Sequence, residues 1–455
     1  MIFREAYEVF RKESPVPVMA RAAMQNAFSA SQLDRIFAEN AKQQRAGDLP
    51  FSVVVEILSL AVMKVCPSVN AAYQKKEEQV GVAIKSVYNK LNGVEPCVSR
   101  AMVCDSAARF GEIQDAMGRT GQLQPGYRTR ILDGKHLDRT ERRLKPLRFL
   151  NSAPLPGQVL AVLDGDRNLV CDVFPCEDGH AQERSLLEDV LARVAPGELW
   201  IGDRNFCTVS FLTGIAQRNA HFGIRLRKQL PVERVGRKRA AGNSATGKIF
   251  EQAAYIVENG QRALKVRLIT VKLKQPTRDG DTEITIVSNL PKKVSPKRIA
   301  ELYRNRWTIE KAFLQVSQSL NGEIDSLAYP KAALFGFCIA LVAHNMLNLV
   351  KAAIATAHEG DEDDLSDYYL ADEISGVYRG MLIVLPPVFW RERFGDLGTD
   401  EMAEKLLNLA ADVNWDHYRK HRRGPKRPPP NLGHKNQRNH VATKRVLDEY
   451  YATNC

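Results

Sequence analysis

Three carboxylates stand out by where they sit. Asp133 ends an apolar run in ILDG, Asp203 ends another in LWIGDRNF, and Glu310 closes the basic and aromatic stretch YRNRWTIE. Two acids at strand ends, joined by a third from a helix, make an oxygen cage suited to Mg²⁺, a hard ion that prefers carboxylate and water. Two such ions about 4 Å apart can activate a water or a 3′-hydroxyl and stabilise the leaving oxygen in an in-line phosphoryl displacement. A lone Asp at a strand end is ordinarily a turn or cap residue. Asp164, in VLDG, shows this: strand-like residues flank DGDR on both sides, so a hairpin turn accounts for it.

The elements that must position these acids follow from hydrophobic period. YRTRILDGKHL reads as a strand entering a polar turn, and PGQVLAVLDGDRNLVCDVFP as a hairpin with Asp164 to Arg167 at its tip. A helix in AQERSLLEDVLARVAP, a strand in GELWIGDRNF, a helix in VSFLTGIAQRN and a strand in HFGIRLRKQ come next. Strands followed by a βαβ alternation predict an α/β domain built on a mixed sheet with flanking helices. Residues 230 to 291 are strand-rich and basic through KIFEQAAYIV, ALKVRLITVKLK and TEITIVSNLP, with GRKRAAGNSATG expected to be a mobile loop.

Ser295 and Pro296 then open a helix that the pattern carries to Leu320. Tyr303, Glu310 and Ser317 are seven apart and share one stripe, with Arg306 a turn before Glu310. Leu302, Ile309, Phe313, Val316 and Leu320 form a separate apolar stripe for docking on the sheet. Arg306 is placed to clamp a phosphate and Tyr303 to donate to another. A merely solvated charged face has the same composition, and only the two aspartates tip the reading toward chemistry.

Outside this stretch, residues 1 to about 125 read as helical, and VGVAIKSVYNKLNG suits either a DNA-reading helix or a small bundle. Residues 351–416 are helical. The tail 417–455 has ten Lys/Arg and no acid between Asp416 and Asp448, and its Pro-rich part is expected to lack a core and to touch phosphate non-specifically.

The 455 residues carry a formal charge of +12 with 44% apolar and 26% charged residues, which excludes wholesale disorder and favours a polyanionic partner. Eight scattered cysteines show no zinc spacing and read as reduced thiols of the cytoplasm. The first residues, MIFREAYEVFRKE, carry no signal-peptide run. The apolar segment Ala332 to Val350 includes His344, Asn345 and Asn348, polar groups that would lack partners in lipid, so a buried core helix is expected and no membrane association.

YRNRWTIE resembles the Tyr-x2-Arg-x3-Glu-x6-Lys signature of bacterial insertion-sequence DDE transposases of the "insertion sequence four" type. ILDG and GDRNF resemble that family's first two motifs, and their separations of 70 and 107 residues leave room for a β-rich insertion between the second Asp and the Glu. The resemblance covers roughly residues 125 to 350. It implies an RNase H-like catalytic domain over 126–350, interrupted by the insertion at about 230–291 and preceded by a DNA-binding helical region. The activity implied is Mg²⁺-dependent cleavage of the element's ends and strand transfer into target DNA, with Mn²⁺ substituting. A homodimer would pair the two terminal inverted repeats, in a cytoplasmic, nucleoid-associated protein. By the same resemblance Asp133, Asp203 and Glu310 are metal ligands and Tyr303 and Arg306 contact end phosphates. Trp307 either stacks near a base or is a core aromatic. Lys135, His136, Arg204 and Asn205 flank the aspartates and are expected to meet DNA. Two departures stand out: Ser317 occupies the signature's Lys position, and the insertion holds no Trp. A nuclease without strand transfer, or a DNA-binding protein descended from such an enzyme, would use the same scaffold.

Overall fold

The computed structural model describes residues 2–454 apart from 46, 120, 139, 141, 142, 151, 278, 279 and 422–439. Eleven strands are defined among these residues: β1 (Arg128–His136), β2 (Ala153–Leu155), β3 (Gln158–Asp164), β4 (Leu169–Cys176), β5 (Glu198–Gly202), β6 (His221–Arg225), β7 (Val232–Asn243), β8 (Gly247–Glu258), β9 (Gln261–Leu273), β10 (Glu283–Ser288) and β11 (His440–Ala442). Nine of them form one sheet in the order β4-β3-β1-β5-β6-β10-β9-β8-β7. The β4-β3-β1 part is antiparallel, with β3 and β4 joined as a hairpin, whereas β1, β5 and β6 run parallel. Parallel neighbours need crossovers, and helices Leu187–Leu191 and Val209–Gln217 supply them. This half is the mixed sheet with flanking helices that the hydrophobic period predicts.

Strand alternation divides the core in two. Ile131, Val159, Ala161, Leu163 and Ile201 face one cluster, which continues through helices Pro96–Ala116 and Pro330–Ala357. Leu132, Leu160, Val162, Trp200 and Phe222 face the other, against Phe211, Leu212 and Ile215. The first cluster runs unbroken from Tyr7, Met19 and Phe110 through Phe335 and Leu341 to Trp390, Leu406 and Tyr418. The N-terminal and C-terminal helices therefore bury their apolar faces against the central helix Pro330–Ala357, forming one core with it.

That central helix is long and apolar enough to cross a membrane, yet 94% of its most apolar window is buried inside the protein. Its polar residues find partners in the core. Asn345 Oδ1 accepts from the Val170 N–H at 2.7 Å and its Nδ2 donates to the Val170 carbonyl at 2.9 Å. His344 Nδ1 bonds Gln315 Oε1, and its Nε2 faces Asn348 Nδ2 at 2.9 Å. Burial pushes the His344 imidazole down to about 4, so it remains neutral at ordinary pH.

Three expectations need correction. GRKRAAGN is part of β7, the outer edge of the sheet, paired antiparallel with β8. Glycines at positive φ (Gly236 at 68° and Gly242 at 105°) lie at its two register shifts, and its charged residues stand at the edge where charge discourages further pairing. The segment 230–291 thus extends the same sheet, since β10 pairs directly with β6. The helix expected over 296–320 is two helices, Pro296–Arg304 and Trp307–Gln318, joined by a tight turn in which Arg306 N–H bonds the Tyr303 carbonyl at 3.1 Å. Both turn residues keep right-handed helical dihedrals, so Leu302, Ile309, Phe313, Val316 and Leu320 still share one buried face. The tail ends folded: β11 pairs parallel with β2, and helix Thr443–Asn454 follows, tied by Arg445 to Asp178 at 2.8 Å. The Pro-rich stretch 422–439 lies outside the described residues.

Candidate active site

Strand register brings the two aspartates together. Leu132 on β1 lies opposite Gly202, the last residue of β5, so Asp133 and Asp203 follow at adjoining positions, Asp203 just beyond its strand. They stand in the crevice beyond the carboxyl end of β5, where parallel sheets place ligands. The Asp203 side chain does not cap the turn Arg204–Phe206 that it precedes. It accepts instead from the Tyr303 hydroxyl at 3.5 Å.

The turn between helices Pro296–Arg304 and Trp307–Gln318 carries Arg306 across the crevice. One nitrogen, Nη1, reaches Asp133 Oδ2 at 3.3 Å and Glu310 Oε1 at 2.6 Å. Asp133, Asp203, Glu310, Tyr303 and Arg306 therefore form one cluster drawn from two strands and two helices. The cluster is largely withdrawn from solvent: the side chains of Arg306, Asp133 and Glu310 are 10%, 18% and 37% exposed.

This enclosure has an electrostatic cost. Burial, with added repulsion from Glu310 and Glu183, pushes the Asp133 carboxyl up to about 7 against the pull of Arg306 and the Gly134 N–H. Burial and the nearby Asp203 also raise the Tyr303 hydroxyl, which remains protonated and able to donate.

Among the described residues, no group of three His, Cys, Asp or Glu side chains is close enough as it stands to hold a metal ion. The donor set nonetheless fits a hard divalent cation: all its donors are oxygens, and its three carboxylates outnumber the one guanidinium. Arg306 Nη1 now occupies the gap between Asp133 and Glu310, so a metal would need it to move. Arg306 Nε is buried with no hydrogen-bond partner, a donor left open for an anion.

The remaining candidates scatter around this cluster. Trp307 is 59% exposed, with the Arg306 guanidinium 5.1 Å from its ring centre, which rules out the core-aromatic reading. Arg204 is exposed and lines a cavity of about 960 Å³ beside Asp203, together with Arg184, Arg225, Arg227, Lys228 and Arg234. Lys135 pairs with Asp138 at 2.9 Å and Glu323 at 3.3 Å, and His136 Nδ1 bonds the Gly179 carbonyl at 3.1 Å. Both are engaged within the protein. Asn205 is engaged as well, since its amide lies between Glu183 and Arg184. Asp164 is buried at the hairpin, where it pairs with Arg130 at 2.6 Å and Arg167 at 3.1 Å. Sequence reading missed Glu183 and Arg184 altogether. The Arg225 to Lys228 run, from the last residue of β6 onward, carries no local signal that it borders Asp203.

Residues 125–346, just under half of the chain, match the family model described as a transposase DDE domain. A curated protein of Sinorhizobium fredii (strain NBRC 101917 / NGR234), named "Putative transposase y4zB", is 30% identical over 130 residues, which is 28% of this chain and 35% of that protein. The chain thus aligns with about a third of this relative's length. Among solved structures, the cryo-EM structure of the piggyBac transposase synaptic complex with hairpin DNA has a TM-score of 0.41 and 10% identity, with 88% of this chain and 86% of that chain covered.

Proposed function

We propose that the chain, whose residues 125–346 match the model of a transposase DDE domain, cleaves DNA at the ends of an insertion sequence and joins the freed 3′-hydroxyls to target DNA. The observation that carries the reading is the β1–β5 register, which sets Asp133 beside Asp203, with the Tyr303–Arg306–Glu310 turn packed across them. Asp133, Asp203 and Glu310 would hold the divalent cation, Mg²⁺ or Mn²⁺, which when bound supplies the positive charge for in-line phosphoryl displacement. The other groups bind and orient the DNA. Arg306 offers its unpartnered Nε to an end phosphate, and Tyr303 offers its hydroxyl. The basic cavity beyond Asp203 receives the phosphates that follow. Trp307 presents an exposed ring beside Arg306, suited to stacking on a base. Two copies would act together on the two ends.

The test uses purified protein and DNA carrying the gene's own flanks, with Mg²⁺ or EDTA, beside Glu310→Ala. Cuts at a repeat boundary that need both Mg²⁺ and Glu310 are expected, with the fold and DNA affinity of the variant near wild type. Cutting by Glu310→Ala would overturn the assignment. Scattered Mg²⁺-dependent cuts would point to a nuclease, and tight binding without cutting to a protein that only holds DNA.

A further inference from the structure

We propose that Glu183 is a positioning residue of this site: through Asn205 it holds the Asp203 turn against the Asp133 strand, and position 134 is glycine to make room for it. The inference rests on the reading of Asp133 and Asp203 as working acids.

Glu183 belongs to no recognisable motif. It opens the single turn Glu183–Leu186 between β4 and β5. The fold brings it into contact with both aspartate motifs at once. Its Oε2 accepts from Asn205 Nδ2, two residues beyond Asp203. Its neighbour Arg184 takes the other end of the same amide, with Nε and Nη2 donating to Asn205 Oδ1 at 3.1 and 3.0 Å, and Nε also donating to the Asn205 carbonyl at 3.0 Å. Donor and acceptor sides of the amide are thus both spoken for, which leaves a single orientation for Asn205 and a fixed seat for the Arg204–Phe206 turn.

The other carboxylate oxygen faces β1. A Cβ built on Gly134 would fall 2.0 Å from Glu183 Oε1 and 2.5 Å from its Cδ, so a side chain at 134 would push the carboxylate off its present place. Gly134 does not adopt a positive φ, and backbone conformation therefore gives no reason for glycine there. Space for Glu183 does. The Glu183 charge also adds to the repulsion felt by Asp133. A residue kept only for stability would be poorly chosen here, because it brings a further carboxylate to an acid-rich crevice.

The experiment compares Glu183→Ala, Glu183→Gln, Gly134→Ala and the Gly134→Ala/Glu183→Ala pair in single-turnover cleavage of end DNA, with DNA affinity and melting temperature measured on the same preparations. Outer-shell partners of this kind are worth about 10- to 100-fold. Glu183→Ala should lose that much in cleavage rate with end affinity unchanged. Glu183→Gln, whose amide oxygen still accepts from Asn205, should recover most of the loss. Gly134→Ala should match Glu183→Ala, and the pair should lose no more than either alone, because both remove the same contact. Wild-type cleavage by Glu183→Ala, beside an inactive Glu310→Ala, would overturn the inference while leaving the proposed function standing. A Gln variant as slow as the Ala variant would also overturn it, because the charge rather than the hydrogen bond would then matter. Should Glu183→Ala not fold, Glu183→Gln and Gly134→Ala carry the test. Failure of the wild type itself to cut would instead fall on the proposed function.

Discussion

Replacing Asp133 with Asn should stabilise the metal-free protein while destroying its chemistry, and the gain should depend on pH in a defined direction. The Asp133 carboxyl sits at about 7 when folded, against an ordinary value near 3.8, mainly because it is buried. Folding therefore favours its neutral form. Stability is lost as pH rises from the unfolded value to the folded one, and the loss is constant above that. Each tenfold weakening of the acid is worth about 1.4 kcal/mol, and about three such factors separate the two values, so the ceiling is roughly 4 kcal/mol above pH 7. Asn keeps one acceptor oxygen, enough for the Gly134 N–H, while Arg306 Nη1 retains its pairing with Glu310. In EDTA the variant should outlast wild type to urea or heat by about 2–4 kcal/mol at pH 8. The gap should narrow by about 1.4 kcal/mol for each step of one in pH between 7 and 5 and nearly close by about pH 4. Because a chain of this length need not unfold in one step, the comparison is made on the same transition in both proteins. Added Mg²⁺ should stabilise wild type more than the variant, by about 2.7 kcal/mol at a hundredfold excess over its dissociation constant. A variant less stable than wild type at pH 8, or a gain that ignores pH, would refute the idea that burial of this carboxylate is a cost carried for function.

Arg306→Ala should weaken end-DNA binding and reduce the slope of log affinity against log salt by about one, because one phosphate contact is lost. An unchanged slope in a filter or fluorescence titration would remove Arg306 from the DNA interface. The same variant should bind Mn²⁺ more readily in the absence of DNA, read by the paramagnetic signal of free ion, since Nη1 no longer fills the gap between Asp133 and Glu310. Asn345→Leu should destabilise the protein by about 2–5 kcal/mol, because it strands the buried N–H and carbonyl of Val170. Chemical denaturation measures it, and a near-neutral result would mean that those groups find other partners.

Much of the fold could be read because its signals are local. β3 is buried along its whole length and reads as a short apolar run between turn residues. The hairpin at Asp164 and the crossover helices follow from turn chemistry and period. β7 could not be read this way. GRKRAAGN carries the glycines and charges of a loop, and it is a strand only because β8 offers it a ladder and the sheet edge tolerates charge. Composition likewise hid the end of the tail, where Ala442 and Thr443 are fully buried beside β2. The long apolar helix was legible as a core element from His344, Asn345 and Asn348, but the partners that satisfy them lie on β4 and on the Glu310 helix, far away in sequence.

The site divides along the same line. Asp133, Asp203 and Glu310 stand out in sequence because each occupies a position its own segment makes unusual, and the Tyr303–Glu310–Ser317 stripe sets Glu310 on the side that carries Arg306. What no local pattern announces is that Arg306 bridges two of the acids, or that Lys135, His136 and Asn205 turn toward protein partners. Glu183 is the sharpest case. Its contacts join β1, the turn after β5 and its own turn, three segments brought together only by sheet register. Gly134 was in plain view within ILDG, where a glycine after an aspartate reads as turn chemistry. Its φ and the position of Glu183 show that the missing side chain is needed for space. A glycine in a strand whose dihedrals any residue could adopt is thus a pointer to what approaches it, and here that neighbour is a carboxylate at the acid cluster.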